Sequence, residues 1–449
     1  MTTTKLHRGL GQRQIEMIAI GGCIGTGLFM GSGKTISLAG PAVILIYAIT
    51  GVMLYFVMRA MGELLLHNLE YKSFVDFSED LLGPQAGFFV GWSYWFAWIV
   101  AATAEIIAIT GYVTFWWPNV SPWATAMVTI FTLMTINLLT VKAFGELEFW
   151  LAIIKVIAII GLICVGFWLA LTGFVSPEGV KAHVSNLWSY GGFSPHGLNG
   201  MIAGLQTTIF AFAGMEIIGT MMAEAKDPKK MIPSAIRKIP FRILVFYIGT
   251  VSAIMMVTPW IDISPDHSPF VGMFSLIGLA SAASLVNFVV VSSATSSSNS
   301  GIFATSRMLY GLAQSGKAPA IFAKLSNHLI PAGGVLLACI LMLLVSVVLT
   351  AADSMMQAFE IVGSVASLIF IFIWTMILIA HLVYQRRDPN AHQHSSFKLP
   401  FSRFSPYVVL AFFGLVVFAL SENSTTRIAL YVLPLWFAML FLFYRYHRK

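Results

Sequence analysis

Three ionisable side chains, those of Lys155, Glu105 and Glu216, lie inside long apolar stretches of this sequence. A charged group inside a lipid bilayer costs free energy and is a functional candidate by default. Amine and carboxylate groups can bind and release a proton more easily when burial disfavours their charged forms. The chemistry that these residues favour is therefore proton binding and release at membrane depth.

Each of the three residues also has an alternative interpretation. Lys155 could act as a fixed cation where a sodium ion might otherwise bind, or its long stem could carry the ammonium to the cytoplasmic surface. Glu105 could contact a substrate or accept structural hydrogen bonds. Glu216 could satisfy backbone groups that are freed at a helix break. We predict proton-coupling roles for all three.

The composition indicates a polytopic, all-α membrane protein. Of the 449 residues, 58% are hydrophobic and only 10% are charged, whereas about a quarter of the residues in soluble domains are charged. The net charge of +7 could suggest a nucleic-acid partner, but the basic residues lie between apolar runs, so we predict none. The histidines and cysteines lack metal-ligand spacing and a catalytic constellation, so we predict neither a metal site nor an enzyme.

Twelve apolar runs are candidates to cross a membrane, and most reach the roughly 20 residues that a helix needs to do so. They cover about 17–37, 41–66, 86–113, 122–141, 150–173, 200–223, 240–260, 271–297, 333–351, 356–384, 405–421 and 427–444. With a cytoplasmic N-terminus, nearly all of the 26 Lys and Arg residues fall in inside segments, as the positive-inside rule requires. We therefore predict a multi-pass protein of the cell membrane with both termini in the cytoplasm.

The first span contains four glycines within seven residues: Gly21, Gly22, Gly25 and Gly27. Glycine in a helix interior costs roughly 1 kcal/mol relative to alanine. Such a cluster predicts either close packing of backbones or a break in the helix. A broken helix at membrane depth is tolerated where it lines a cavity or is buried in protein.

The sixth span contains a second interruption, between Phe210 and Glu216, with Gly214 inside it. The first and sixth spans cross in opposite directions because the sixth span lies five crossings after the first, which is an odd number. Paired interruptions at corresponding, inverted positions are the best sequence indication of a secondary transporter with a site near the bilayer midplane. Packing faces made of small residues remain the alternative.

Two broken helices offer free backbone groups of both kinds. Unpaired N–H groups can bind an anion, and unpaired carbonyl groups can bind a cation. A zwitterion with adjacent carboxylate and ammonium groups suits this pair, which points to an amino acid. Phe210 lies just before the second interruption, where it could gate the site. Tyr94 is the second gate candidate, and the aromatic residues around it are expected to have packing roles.

Several motifs resemble the amino acid transporter family of the amino acid–polyamine–organocation superfamily, over essentially the whole chain. They include the glycine-rich stretch 20–29, Ser37-Leu-Ala-Gly-Pro, Met58-Arg-Ala-Met-Gly-Glu, Glu224-Ala-Lys-Asp-Pro and Asn299-Ser-Gly-Ile-Phe. Within the family, residues 30–41 and 64–74 are most similar to bacterial D-serine/D-alanine/glycine permeases.

The resemblance implies five-plus-five inverted repeats with discontinuous helices 1 and 6 and two added helices. The implied division of the chain is 1–16 cytoplasmic, 17–173 first repeat, 174–199 extracellular loop, 200–384 second repeat, 385–404 cytoplasmic loop, and 405–449 the last two helices with a short cytoplasmic end.

The resemblance also implies roles for individual residues. The N–H groups of Thr26 and Gly27 would bind the α-carboxylate, and the carbonyl groups of Cys23, Phe210 and Ala213 would bind the α-ammonium. Neighbouring residues Ile24, Gly25 and Gly214 complete the expected substrate site. Lys155 matches a lysine that stands, in some relatives, where sodium-coupled proteins bind sodium. Glu105 matches a position where D-alanine-type permeases carry Asp and aromatic amino acid permeases carry Glu.

We therefore expect proton-driven import of small neutral amino acids, namely glycine, alanine and serine, including D-forms, without a cofactor. An exchanger, or a permease of the same fold for aromatic or other neutral amino acids, is the alternative. A membrane-embedded enzyme and a channel are remote alternatives.

Overall fold

The computed structural model describes residues 24–139, 141–220, 227–276, 278, 280–348 and 352–447. These residues are predominantly helical and contain no β-strand; a single isolated bridge joins Val175 and Lys181. The all-α prediction is confirmed for this part of the chain. Cys23 and the first two glycines of the predicted break lie outside it.

Helices make up most of the described residues and follow one another along the chain. They are α1 (Thr26–Phe29), α2 (Gly31–Ala39), α3 (Val43–His67), α4 (Phe74–Leu82), α5 (Pro84–Thr114), α6 (Pro122–Asn137), α7 (Val141–Thr172), α8 (Gly197–Phe212), α9 (Ile217–Thr220), α10 (Pro228–Arg237), α11 (Ile239–Arg242), a π-helix (Ile243–Gly249), α12 (Thr250–Val257), α13 (Pro269–Leu276), α14 (Ala280–Gln314), α15 (Ala332–Val345), α16 (Met355–Arg387), α17 (Pro389–His394), α18 (Ser405–Glu422) and α19 (Ser424–His447).

Within the described residues, eight helical stretches are long and apolar enough to cross a membrane. The protein is therefore described as an integral membrane protein, while twelve crossings and the inverted repeat stay predictions. One predicted span is wrong in its bounds. The run 271–297 is divided at Gly278, whose φ is +79°. Helix α14 then continues to Gln314, because the residues that follow the apolar run are also compatible with a helix.

Local sequence signals account for several helix boundaries. The Ser73 hydroxyl accepts a hydrogen bond from the N–H of Val75 at 3.2 Å, and Asp76 accepts one from Ser73, so a capping box begins α4. Gly83 has a φ of +99°, which glycine adopts without strain. Pro84 then occupies the first turn of α5, where its missing N–H costs nothing.

The interior is built around α5, which packs against α14 and α16. The side chains of Tyr94, Ala104 and Ile107 on α5 are fully buried. In contrast, α7 exposes large apolar side chains, including Ile157 at 65% and Leu171 at 77%. Such a face is expected where a helix contacts lipid.

Candidate functional site

The described part of the first span begins with an interruption. Gly25 is extended, with φ −121° and ψ −166°, and the single turn α1 follows it. Met30 separates α1 from α2. Since Gly25 is the N-terminal cap of α1, the N–H of Thr26 has no helical partner and is available to an acceptor from elsewhere in the chain.

The sixth span is interrupted where the sequence predicts. Helix α8 ends at Phe212, Ala213 is non-helical with a ψ of 144°, and Gly214 has a φ of +99°. Helix α9 then begins at Ile217. A positive φ favours glycine because it lacks a Cβ, so Gly214 is required by the break.

The two interruptions touch one another at Gly27. A Cβ added at Gly27 would lie 2.6 Å from the Cα of Ala211 and 2.8 Å from the carbonyl carbon of Phe210. Glycine at position 27 therefore allows the two helices to pack closely. This agrees with the alternative interpretation, in which small residues form a packing face. The break at Gly25 and the break at Gly214 are brought together by this contact.

Glu105 reaches the first break from α5. Its two carboxylate oxygens accept the backbone N–H of Thr26 at 3.2 and 3.1 Å. A side chain at Gly25 would overlap this carboxylate, so glycine there permits the approach. The group predicted to bind a substrate carboxylate thus already binds a carboxylate of the protein.

Lys155 reaches the same break from the opposite side. Its ammonium donates to the carbonyl of Ile24 at 3.2 Å and to the hydroxyl of Ser296 at 3.1 Å, and its side chain is fully buried. The alternative interpretation, in which the ammonium of Lys155 extends to the cytoplasmic surface, does not fit, because these two acceptors hold it in the interior; its proton-coupling role stays a prediction. Ser293 also donates to the Ile24 carbonyl, at 2.6 Å.

Sequence reasoning assigned no role to the third ionisable residue of this network, Glu148. Glu148 is fully buried and accepts hydrogen bonds from Ser296 at 2.7 Å and from Asn299 at 2.6 Å. Ser296 thereby connects the carboxylate of Glu148 to the ammonium of Lys155. The available signal was spacing: the two residues are seven apart, which places them on one face of a helix about two turns apart.

Glu216 lies directly after the second break. One of its oxygens accepts the N–H of Gly214 at 3.1 Å, so it satisfies a freed backbone group. Its other oxygen lies near the indole N–H groups of Trp98 and Trp374, but none of these three atoms makes a hydrogen bond of normal distance and angle among the described residues. Buried polar atoms of this kind often mark functional positions. The structural role of Glu216 is thus observed, and its proton-coupling role stays a prediction.

The two gate candidates lie in different surroundings. The ring of Phe210 packs edge-on against Phe359 of α16, with 5.5 Å between ring centroids. Tyr94 is fully buried and packs edge-on against Phe74 of α4, at 4.9 Å. Each of the two residues contacts a helix other than its own, as a gate requires. Gating by either residue stays a prediction.

An ion pair that the sequence did not predict lies next to the Phe210 contact. The ammonium of Lys34 on α2 is 3.1 Å from the carboxylate of Glu360 on α16. Glu360 directly follows Phe359 in the chain. The side chains of Lys34 and Glu360 are 25% and 7% exposed, so this pair is partly shielded from water.

The space beside the two breaks is small. A cavity of about 10 Å³ is lined by Ile24, Met215 and Arg242, among others. That volume suits one water molecule at most, so this cavity is too small to hold an amino acid.

A separate cluster could hold a metal ion by its composition. The ligand atoms of Glu63, His381 and His392 lie within 4.8 Å of one another. The Glu63 carboxylate accepts hydrogen bonds from His381 at 2.9 Å, from His392 at 2.8 Å and from the N–H of Leu399 at 2.8 Å. These bonds satisfy the buried carboxylate without an ion.

Comparison with known proteins identifies the family of the chain. Residues 14–449 match the Amino acid permease family. The chain is 53% identical to the D-serine/D-alanine/glycine transporter of Escherichia coli (strain K12), over 97% of this chain and 93% of that protein.

Two relatives from Bacillus subtilis (strain 168) are similar over nearly their whole length. The Amino-acid permease AapA is 46% identical over 98% of this chain and 95% of that protein. The Probable threonine/serine transporter YbxG is 42% identical over 99% of this chain and 96% of that protein. With its paired helix breaks and its match over residues 14–449, the chain belongs to the amino acid permease family.

Proposed function

We propose that this permease is a proton symporter that imports small neutral amino acids, chiefly glycine, alanine and serine, including their D-forms. The observation that carries the proposal is the hydrogen bond between the Thr26 N–H and the Glu105 carboxylate at the point where two interrupted helices touch. An N–H group that binds a protein carboxylate has the chemistry needed for a substrate carboxylate.

Substrate binding and proton binding are linked at Thr26 in this proposal. The substrate carboxylate competes with Glu105 for the same N–H, and Glu105 is a weaker competitor when it is protonated. Proton uptake by Glu105 therefore favours substrate binding, and proton loss favours release. The coupling is reciprocal, because each ligand changes the affinity for the other by the same factor.

Lys155 provides the second link between protonation and the first break. Its ammonium holds the Ile24 carbonyl, which precedes the Thr26 N–H by two residues. Loss of the Lys155 proton removes a charge-assisted hydrogen bond from that segment, and such bonds are stronger than neutral ones. Ser296 accepts a hydrogen bond from the Lys155 ammonium and donates one to the Glu148 carboxylate. The proton on Lys155 and the negative charge of Glu148 that balances it are thus joined by hydrogen bonds.

The remaining substrate contacts follow the predicted pattern. The N–H of Gly27 joins Thr26 at the carboxylate, and the carbonyl groups of Cys23, Phe210 and Ala213 bind the ammonium. Small substrates are supported by the 53% identical relative, whose name gives D-serine, D-alanine and glycine.

The proposed topology places five-plus-five inverted repeats and two further helices in the cell membrane, with both termini in the cytoplasm. The proton gradient drives transport and no cofactor takes part. Phe210 gates the outer side and Tyr94 lies on the inner side of the site.

Uptake into proteoliposomes tests the proposal. Purified protein is reconstituted with an imposed proton gradient, and accumulation of labelled glycine and D-alanine is measured against a panel of unlabelled amino acids. We expect accumulation that stops when a protonophore collapses the gradient. Uptake that persists unchanged, with no amino acid inside the vesicles, would contradict symport. Uptake that depends wholly on internal amino acid would identify an exchanger, and competition by aromatic amino acids alone would overturn the substrate assignment.

A further inference from the structure

A second cavity lies on the face predicted to be cytoplasmic, away from the two helix breaks. It measures about 510 Å³ and is formed between α10 and the segment that precedes α18. Its volume is in the range of small-ligand sites. The lining residues are Lys229, Lys230, Pro233, Ser234, Arg237, Lys238, Ser396 and Phe397.

The lining is strongly basic. Among the described residues that line it are four cationic side chains and no acidic one. Lys230 lies 3.6 Å from Asp227, but both side chains are largely exposed, and exposed pairs contribute little. Lys229 and Arg237 form no ion pair within the described chain. A concave surface of one charge sign concentrates ions of the opposite sign.

The helix itself presents these cations to the cavity. Met231, Ile232, Ala235 and Ile236 on the other face of α10 are buried, and Ile236 packs close to Gly62 of α3. Burial of this face directs the polar face outward. The cations fall into two pairs, one at each end of α10, about 12 Å apart at 1.5 Å per residue.

Both walls of the cavity continue into exposed aromatic side chains. Phe241 follows Lys238 by three residues and is 67% exposed. On the opposite wall, Phe401 and Phe404 follow Phe397 and are 78% and 70% exposed. Aromatic side chains are enriched at the membrane interface, so the cavity lies at the depth of lipid headgroups.

We propose that this cavity binds the phosphate group of an anionic phospholipid, with the acyl chains directed toward the exposed apolar side chains of α11 and the π-helix. Basic pockets at the ends of membrane helices are suited to such headgroups. Inorganic phosphate offers the same chemistry without acyl chains, and the experiment separates the two sources. This site is independent of the amino acid site.

Native mass spectrometry of the full-length protein measures the binding. Phosphatidylglycerol, phosphatidylcholine and inorganic phosphate are titrated separately against wild type and the double variant K229Q/R237Q. We expect wild type to bind phosphatidylglycerol in preference to phosphatidylcholine. We expect the double variant to bind phosphatidylglycerol about 25-fold more weakly, because each cation near a membrane surface contributes roughly fivefold.

Two further variants control for charge and folding. K229R/R237K keeps both charges and should bind phosphatidylglycerol as wild type does. K72Q/K324Q removes two exposed cations that do not line the cavity and should also leave binding unchanged. If K229Q/R237Q does not elute as a folded protein in size-exclusion chromatography, the single variant K229Q is expected to show the fivefold effect.

Wild-type affinity in K229Q/R237Q, or an equal loss in K72Q/K324Q, would overturn the site. Binding of inorganic phosphate as tight as that of phosphatidylglycerol, with mutual displacement, would overturn the lipid assignment and leave a site for a soluble phosphate anion.

Discussion

Both carboxylate oxygens of Glu105 lie within hydrogen-bond distance of one backbone N–H, that of Thr26. The two groups are 79 residues apart in the chain, and glycine at position 25 leaves the space through which they meet. An acceptor from α5 thus occupies a donor that the helix break exposes. Any other carboxylate that binds this N–H must displace Glu105.

Neutralising this competitor should separate binding from proton coupling. In E105Q the side chain cannot ionise, and its hydrogen bond to Thr26 is weaker than a charge-assisted one. We expect the half-saturating substrate concentration in counterflow to fall about fivefold, while accumulation driven by a proton gradient is lost. E178Q, which changes an exposed carboxylate in a loop, should behave as wild type. Proton-driven accumulation by E105Q would refute the coupling role.

Lys155 should be necessary for coupling and for stability, through different partners. In K155Q the carboxylate of Glu148 loses its nearby cation, and breaking a buried charge pair costs about 3–5 kcal/mol. We expect a lower unfolding temperature and no accumulation of amino acid against a gradient.

The double variant K155Q/E148Q separates these effects. Removing both charges should restore much of the unfolding temperature, since no unpaired charge then stays buried. Accumulation should stay absent in the double variant if Lys155 couples proton and substrate. Concentrative uptake by either variant would contradict that role.

Two glycines of the first span should respond very differently to the same change. A methyl group at Gly27 would lie 2.6 Å from the backbone of Ala211, whereas one at Gly31 would meet no atom of the described residues within 4 Å. We expect G27A to abolish transport and to destabilise the protein by about 1–3 kcal/mol, and G31A to be tolerated. Uptake and thermal unfolding measure both. Equal behaviour of the two variants would show that the helix contact is unimportant.

The ion pair between Lys34 and Glu360 should hold the side of the site next to Phe210 closed. The test introduces a cysteine at Ser32, which is buried on α2. In K34Q we expect this cysteine to react about fivefold faster with a membrane-impermeant thiol reagent, because loss of the ion pair removes about 1 kcal/mol that favours the closed state. The measurement uses protein in which the native cysteines are replaced. K72Q is the matched control, and unchanged labelling in K34Q would exclude a gating role.

The Glu63 cluster should stabilise the fold. E63A removes the acceptor for three donors, those of His381, His392 and Leu399, and each unsatisfied buried donor costs roughly 1–3 kcal/mol. We expect a loss of about 3 kcal/mol or more in thermal unfolding, against little change in E422A at the surface. Chelation with EDTA should leave wild type unaffected, and a chelator-dependent fall would instead indicate a bound metal ion.

Local chemistry made much of the site predictable. Gly214 could be predicted to mark a break because the ability to adopt a positive φ depends on the residue type alone. Lys155 and Glu105 could be identified because charged residues are rare in apolar runs. The contacts of these residues were not predictable in the same way. Ser296 lies 148 residues from Glu148 and 141 from Lys155, and only the fold brings the three together.

Helix boundaries show the same limit. The apolar run 271–297 contains no signal that separates α13 from α14 except Gly278, and glycines occur in many of the unbroken helices here. Helix α14 continues to Gln314 because its polar residues pack against other helices. Hydropathy measures contact with lipid, so it underestimates a helix whose polar end is buried in protein.

Helix α7 carries its buried cation on an otherwise lipid-facing surface. Trp150, Ile157 and Trp168 are at least 60% exposed, yet Lys155 between them is fully buried. Neighbouring lipid is fluid, so the exposed faces of α7 offer little resistance to a tilt, whereas its packing against α12 and α14 resists one. The Lys155 ammonium therefore ties α7 both to the first break, through the Ile24 carbonyl, and to α14, through the Ser296 hydroxyl, and loss of its proton would loosen both attachments at once.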